Sequence, residues 1–228
     1  MPMSQDSPQI SRVTRSKDIA KASYDRMSKW YDLMAGSSEW KFVKIGLDLL
    51  KASKSETVLD IGFGTGKSVL AIAESVGQTG HVYGLDLSEG MYRIASDRVG
   101  KAGLSERVDL KCGDAVKLPF KNDFFDAVFT SFTLELFDIP EIPIVLQECN
   151  RVLRSGKRIV VVSMSKKSRE SLAVKLYEWA HEMLPNYVDC RPIYVTESLS
   201  DAGFNVVEKK EIKMWGLPVD AILAQKAY

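Results

Sequence analysis

Between Lys17 and Ala52 apolar residues recur at helical spacing. Ile19, Tyr24, Met27, Trp30, Tyr31 and Met34 form one run, and Phe42, Val43, Leu47, Leu49 and Leu50 the next. Gly36, Ser37 and Ser38 separate them, which predicts two helices over 17–52. The preceding stretch, rich in Ser, Gln and Pro with few large apolar groups, reads as a loose tail over 1–16. Beyond Ser53 the pattern changes. Short β-type runs at 57–61, 81–85, 107–111, 125–131 and 158–164 alternate with helical runs at 67–76, 91–100 and 142–153. Apolar triplets such as 127–129 and 160–162 suit strands covered on both faces, so the alternation predicts an α/β fold with an open, doubly wound sheet.

The last third extends this frame. A helical run over 168–184 puts Leu172, Leu176, Trp179, Ala180 and Met183 on one side and ends at Pro185. Thr196 is a plausible N-cap for a short helix closed by Gly203. Two final strands, 204–214 and 217–226, are joined by Trp215 and Gly216, a link so short that they must be antiparallel neighbours. The expected sheet therefore has seven strands and is parallel except at one edge.

Composition narrows the class. The chain has 228 residues, 31 basic against 30 acidic side chains, and is 45% hydrophobic and 27% charged. That fits a globular domain and argues against a protein that coats nucleic acid, whose affinity comes mainly from neutralised phosphates. Cys112, Cys149 and Cys190 lie far apart with no paired spacing and no histidine at ligand distance, so neither a zinc site nor a disulfide framework is expected. No stretch approaches the ~20 apolar residues of a membrane span, and the first residues lack an apolar signal segment. A cytoplasmic protein is expected.

The run Val58-Leu59-Asp60-Ile61-Gly62-Phe63-Gly64-Thr65-Gly66 passes straight from the first strand into a helix. Such a turn lets backbone approach a ligand closely, and the helix start offers N–H groups. A dinucleotide fingerprint begun at Gly62 needs its third glycine where Lys67 stands. A phosphate-binding P-loop needs glycine where Ile61 stands. What remains is a loop preceded by a carboxylate, Asp60, beside which a cationic amine can sit; an amino-acid-bearing nucleoside suits it.

This run resembles the first motif of class I S-adenosylmethionine-dependent methyltransferases. The resemblance continues through Tyr83-Gly84-Leu85-Asp86-Leu87-Ser88, Gly113-Asp114-Ala115, Phe125-Asp126-Ala127-Val128 and Arg151-Val152-Leu153-Arg154-Ser155-Gly156-Lys157, in order. It implies a Rossmann-like core over 53–228 that binds S-adenosylmethionine, with N-terminal cap helices over 17–52 as a lid and an acceptor-lid helix at about 166–194. Asp60, Asp86 and Asp114 end three consecutive strands, where ligands bind in open parallel sheets, and should converge. By resemblance, Gly62, Gly64 and Gly66 line the methionine end and Asp86 accepts the ribose hydroxyls. Asp114 takes the adenine amino group, and Ala115 offers its N–H to the ring. Leu87 and Met91 cover the adenine faces, and Ser131 meets the methionine amine. The alternative is that the acids are helix caps, as Ser88 can be, and the glycines only tight turns.

The segment from Tyr24 to Met34 is similar to the entry segment of the ubiquinone/menaquinone-biosynthesis methyltransferase branch. By analogy Tyr24 lies near the methionine end and Tyr31 is a second contact, with Trp30 toward the acceptor, although core packing explains two of the three rings equally well. Methyl transfer from a sulfonium needs alignment more than a strong catalytic group, worth about 7–11 kcal/mol. A base still helps a hydroxyl or aromatic-carbon acceptor. His81 begins its strand, roughly 16 Å from Asp86, and is rejected. His181 on the lid helix and Glu135 beyond the fourth strand are candidates; an ordinary histidine and a solvated acid are their competing readings. Arg191 binds an anionic acceptor or pairs with Asp189. The sequence at 130–133 lacks the motif of base-amino methylation, and the cysteines do not match arsenite methyltransferases, which leaves that alternative weak. The resulting expectation is C- or O-methylation of a small aromatic or prenylated-aromatic acceptor by a monomer or homodimer, without metal and with peripheral membrane contact if the acceptor is prenylated. The competing expectation is a nucleoside-binding regulatory protein of the same fold without turnover.

Overall fold

The computed structural model describes residues 16–34, 36–166 and 191–227, and within the first two helices the side chains outside 29–38. Two helices, α1 (Lys17–Met34) and α2 (Gly36–Leu50), precede the alternating core. That core runs β1 (Thr57–Ile61), α3 (Lys67–Val76), β2 (His81–Asp86), α4 (Glu89–Lys101), β3 (Val108–Cys112), β4 (Phe125–Ser131), α5 (Glu141–Val152) and β5 (Leu153–Met164). After α6 (Val195–Asp201) come β6 (Phe204–Met214) and β7 (Leu217–Lys226). Residues 1–15 of the expected tail and 167–190 of the expected lid helix at about 166–194 lie outside the described residues; the last four residues of that expected helix, 191–194, are not helical, and Ile193 forms a parallel bridge with Ser165. Among the described residues no helix is long and apolar enough to cross a membrane.

All seven strands join one sheet in the order β3-β2-β1-β4-β5-β7-β6. The first five are parallel, and β7 runs antiparallel to both β5 and β6. This matches the expected sheet, with the reversed strand one place in from the edge. The reason lies in side chains. β7 carries Val219, Ala221, Ile222 and Ala224, all fully buried, whereas β6 presents Glu208, Lys209, Lys210 and Glu211 to solvent. The apolar strand takes the inner slot and the charged one blunts the open edge.

Strand residues alternate between two cores. On one face Val58, Phe129, Val160 and Val162 pack with α2, α3 and α4; on the other Leu59, Val128, Ile159 and Val161 pack with α5 and α6. Helix α2 is thus bound into the core through Phe42, Leu49 and Leu50. Its Gly46 lies against the sheet, where a Cβ would stand 2.4 Å from Val162 Cγ2 and 3.0 Å from the Phe129 ring.

Two local readings shift. β5 begins at Leu153, directly after α5, because Leu153 pairs with Phe125 before a bulge brings Arg158 opposite Ala127. Helix α6 begins at Val195, which puts Thr196 inside its first turn rather than at the cap. Away from the carboxyl ends of the parallel strands the sheet is stitched by charge. Arg158 donates to Leu50 O (2.6 Å) and to both Glu56 oxygens (2.9 and 2.6 Å), while Asp126 accepts from Thr57 N and pairs with Arg154 (2.7 Å).

Gly46→Val is expected to lower stability by about 1–3 kcal/mol, since overpacking outweighs the loss of a flexible helix residue. Urea unfolding measures it; an unchanged midpoint would mean that α2 does not sit on Phe129 and Val162.

Candidate functional site

The carboxyl ends of β1, β2, β3 and β4 open on one rim. Past Ile61 the chain bends through Gly62, Gly64 and Gly66, at φ 71°, 52° and 84°. Gly62 is required twice over: its φ is left-handed, and a Cβ there would stand 2.1 Å from Thr133 Oγ1. Its N–H donates to Leu85 O at 2.7 Å. Gly66 caps α3 with its Cα close to α4, 2.8 Å from Ala95 Cβ for a built side chain. At Gly64, by contrast, nothing among the described residues lies within 4 Å of a built Cβ, so this backbone faces open space.

Asp86 ties the bend to the next loop. Its Oδ2 accepts from Gly64 N (2.8 Å) and its Oδ1 from Ser88 N (2.9 Å), and burial pushes its pKa up. Asp60 lies under the bend, 1% exposed, accepting from Ser68 Oγ at 2.5 Å. Burial pushes its pKa up to about 7, against the pull of the Ser68 bond and with the nearby Asp86 charge adding to the rise. Asp114, half-buried beyond β3, accepts from Val116 N (3.1 Å). Ala115 and Met91 are buried beside this turn and Leu87 half-buried, while Ser88 caps α4 by accepting from Met91 N at 3.1 Å. The acids do converge, but Asp60 points inward and Asp86 and Asp114 toward the rim.

Helix α1 lies across this rim. Lys17, Lys21, Asp25 and Ser28 share one face at three- and four-residue spacing. Lys17 Nζ reaches Asp114 Oδ2 and Glu141 Oε1, both at 2.6 Å, and Lys21 pairs with Glu89 at 2.9 Å. Against the pull of partial burial, the Asp114 and Glu141 bonds hold the Lys17 pKa above its ordinary value. Tyr24 is half-buried on the same helix; the side chains of Trp30 and Tyr31 lie outside the described ones.

Beside the bend a cavity of about 80 Å³ is lined by Gly62, Phe63 and Gly64, by Ser131 and Phe132, and by Glu39, Trp40 and Val43 from α2. Phe132, at φ 50°, turns the chain out of β4 and brings Thr133 over Gly62. Glu135 follows in a short 3-10 turn, fully buried rather than a solvated acid. It accepts from Ser163 Oγ (2.9 Å) and Met164 N (3.1 Å), and burial pushes its pKa up to about 7 against those bonds. Arg191 is also fully buried and donates through Nη2 to Phe137 O. His181 and Asp189 lie outside the described residues. His81 sits at the far end of β2, its Nε2 2.8 Å from Asp109 Oδ2.

The profile of the ubiE/COQ5 methyltransferase family matches residues 7–190. The chain belongs to this family. Among relatives, the demethylmenaquinone methyltransferase of Listeria welshimeri is 35% identical over 143 residues, 63% of this chain and 58% of that protein. The ubiquinone/menaquinone biosynthesis C-methyltransferase UbiE of Vibrio vulnificus is 29% identical over 177 residues, 77% and 66% of the two chains. The matched segments thus span about three-fifths to two-thirds of these relatives' lengths. A SAM-dependent methyltransferase from Aquifex aeolicus shares the fold, with a TM-score of 0.66 at 24% identity over 88% of this chain and 97% of the other.

The family's motifs point to the glycine bend and the rim acids. They do not point to Lys17, nor to Glu39, Trp40 and Val43, whose part in the site comes from packing; helical periodicity alone marks α2, and Trp40 carries no distinguishing signal.

Glu135 binds a proton more readily in the folded chain than unfolded, so it subtracts stability as pH rises from about 4.5 to about 7. Glu135→Gln is expected to flatten that slope and to stabilise the protein above pH 7 by on the order of 2 kcal/mol. Asp60 contributes in the same direction and remains. Denaturation midpoints from pH 4.5 to 8 test this; parallel curves for both proteins would show that Glu135 is ionised throughout.

Proposed function

We propose that this chain transfers a methyl group from S-adenosylmethionine to a ring carbon of a prenylated quinol-type acceptor. The observation that carries the reading is the Asp86 carboxylate held against the open backbone of Gly64, a cradle for a ribose at a point of the bend that no described side chain crowds. The Asp86 carboxylate accepts from Gly64 N and Ser88 N, with Leu87 N–H also acting on it, and its two oxygens together offer about four lone-pair sites, enough to accept ribose hydroxyls as well. Asp114 takes the adenine amino group and Ala115 N–H a ring nitrogen, with Met91 and Leu87 against the faces. Gly62, Gly64 and Gly66, with Asp60 beneath them, hold the methionine portion, and Ser131 and Tyr24 lie toward its amine, with Tyr31 as a further contact.

The bound cosubstrate supplies a methyl group already activated on a positively charged sulfur. What remains for the protein is alignment and exclusion of water. Phe63, Phe132, Trp40 and Val43 give the cavity an apolar wall, suited to an aromatic acceptor. Glu135 is the proton acceptor of this reading; it stands fully buried on Ser163 and Met164, one turn beyond the Ser131 and Phe132 that line the cavity. His181 and Arg191 belong to the acceptor-side segment in this reading. The relatives' printed names support the acceptor class, and the reading carries with it a cytoplasmic monomer or homodimer that meets a lipid-tailed substrate at a membrane surface.

Incubation with isotopically labelled S-adenosylmethionine and a reduced prenylated naphthoquinone that keeps a hydrogen on the ring carbon beside the prenyl group, followed by mass spectrometry, is expected to give singly methylated, labelled product in which the methyl has replaced that hydrogen. Binding of S-adenosylhomocysteine with no labelled product from this or related quinols would instead favour a nucleoside-binding protein without turnover. Asp86→Ala is expected to weaken S-adenosylhomocysteine binding more than tenfold, at least about 1.4 kcal/mol. Calorimetric titration reads it, and unchanged affinity removes Asp86 from the ribose.

A further inference from the structure

Asp25 stands on the inner face of α1, and its Oδ1 accepts two bonds from the start of α4: Ser88 Oγ at 2.6 Å and Gly90 N at 2.8 Å. Ser88 in turn donates its backbone N–H to Asp86 Oδ1, and Asp86 Oδ2 holds Gly64 N. A continuous chain of hydrogen bonds therefore runs from α1 through Ser88 and Asp86 to the glycine bend. Contact along this line is close. A Cβ on Gly90 would stand 2.9 Å from Asp25 Cα and 2.8 Å from Ser28 Oγ, so α1 rests directly on the first turn of α4. Ser28 is itself 5% exposed, and its hydroxyl donates to Asp25 O at 2.9 Å, which closes the contact on the α1 side.

We infer that Asp25 is a positioning residue for the cofactor: it holds the Ser88–Gly90 turn so that Asp86 presents its carboxylate to the ribose. This deepens the proposed function and rests on it. Ser88 faces two demands, capping α4 through its accepting lone pairs and steadying Asp86 through its N–H. Its hydroxyl proton is left for an outside acceptor, and Asp25 is that acceptor. The bond fixes the Ser88 rotamer and, with the Gly90 bond, the direction of the turn. Without Asp25, Ser88 Oγ and Gly90 N turn to water, and the Asp86 carboxylate is free to rotate away from its ribose-facing orientation. Lys21, one turn before, pairs with Glu89 of the same turn, so α1 grips it from two adjacent positions.

Calorimetric titration with S-adenosylhomocysteine tests this on four proteins, with unfolding midpoints measured on the unliganded forms. Wild type is expected to bind. Asp25→Ala is expected to bind about tenfold more weakly. Asp25→Asn, whose amide oxygen can accept the same two bonds, is expected to stay within about threefold of wild type, a rescue that charge repulsion with Asp86 as the working effect would not produce in this order. Gly90→Val leaves Asp25 intact but forces α1 off α4, and is expected to weaken binding as Asp25→Ala does; it stands in should Asp25→Ala fold poorly. Wild type that takes no S-adenosylhomocysteine overturns the cofactor reading itself. Wild type that binds while Asp25→Ala and Gly90→Val bind equally well overturns this inference alone, as does Asp25→Asn binding no better than Asp25→Ala.

Discussion

Asp86 gathers the site. A single carboxylate takes one N–H from Gly64 and another from Ser88, and so joins the bend after β1 to the turn after β2. This works because β1 and β2 are parallel neighbours with Ile61 opposite Leu85, so that both loops issue from the same rim at the same height. It also needs an absence of side chain at Gly62, where Thr133 arrives from the end of β4. Three strands, one acid and the glycine bend are therefore geometrically coupled.

The two ends of the sheet treat charge in opposite ways. At the end where the parallel strands begin, Glu56 meets Arg158 and Asp126 meets Thr57 N–H and Arg154, and against the push of burial these partners hold both pKa values down. At the other end Asp60 and Glu135 are buried with hydroxyl and amide donors in place of cations, and their pKa values rise. Asp220, at the start of β7 and 1% exposed, lies at this same end but has a cation: its Oδ2 accepts from Ser165 Oγ at 2.5 Å and pairs with Lys209 Nζ at 2.9 Å. Burying acids without full charge compensation subtracts stability, and such groups concentrate where chemistry is done. The ionic stitching at one end offsets what the functional end gives up.

The two N-terminal helices divide the work along similar lines. α2 contributes Phe42, Leu49 and Leu50 to the main core and, through Trp40 and Val43, a wall of the cavity. It is a sheet-covering helix with one end in the site. α1 meets the rim through lysines and an acid, so its attachment depends on Asp114 and Glu89 and on the Ser88 hydroxyl beside Asp86. A helix held by apolar burial stays put; one held by charges at a ligand's own partners is sensitive to what those partners bind.

The order and type of the elements were written in local patterning. Period-two and helical runs alternate clearly enough to specify seven strands, and the two-residue link at Trp215 and Gly216 requires an antiparallel pair. The bend at Gly62 to Gly66 and the rim acids were likewise legible, because a left-handed φ and a carboxylate at a strand's end are demands on single positions. Which of the last two strands lies inside was decided by tertiary packing, through the competition between the apolar surface of β7 and the charges of β6 for one buried slot. So were the inward turn of Asp60, the burial of Glu135 and the seating of Asp25 on Ser88. Each of these depends on what a distant segment places opposite the residue, and neither periodicity nor spacing along the chain carries that information.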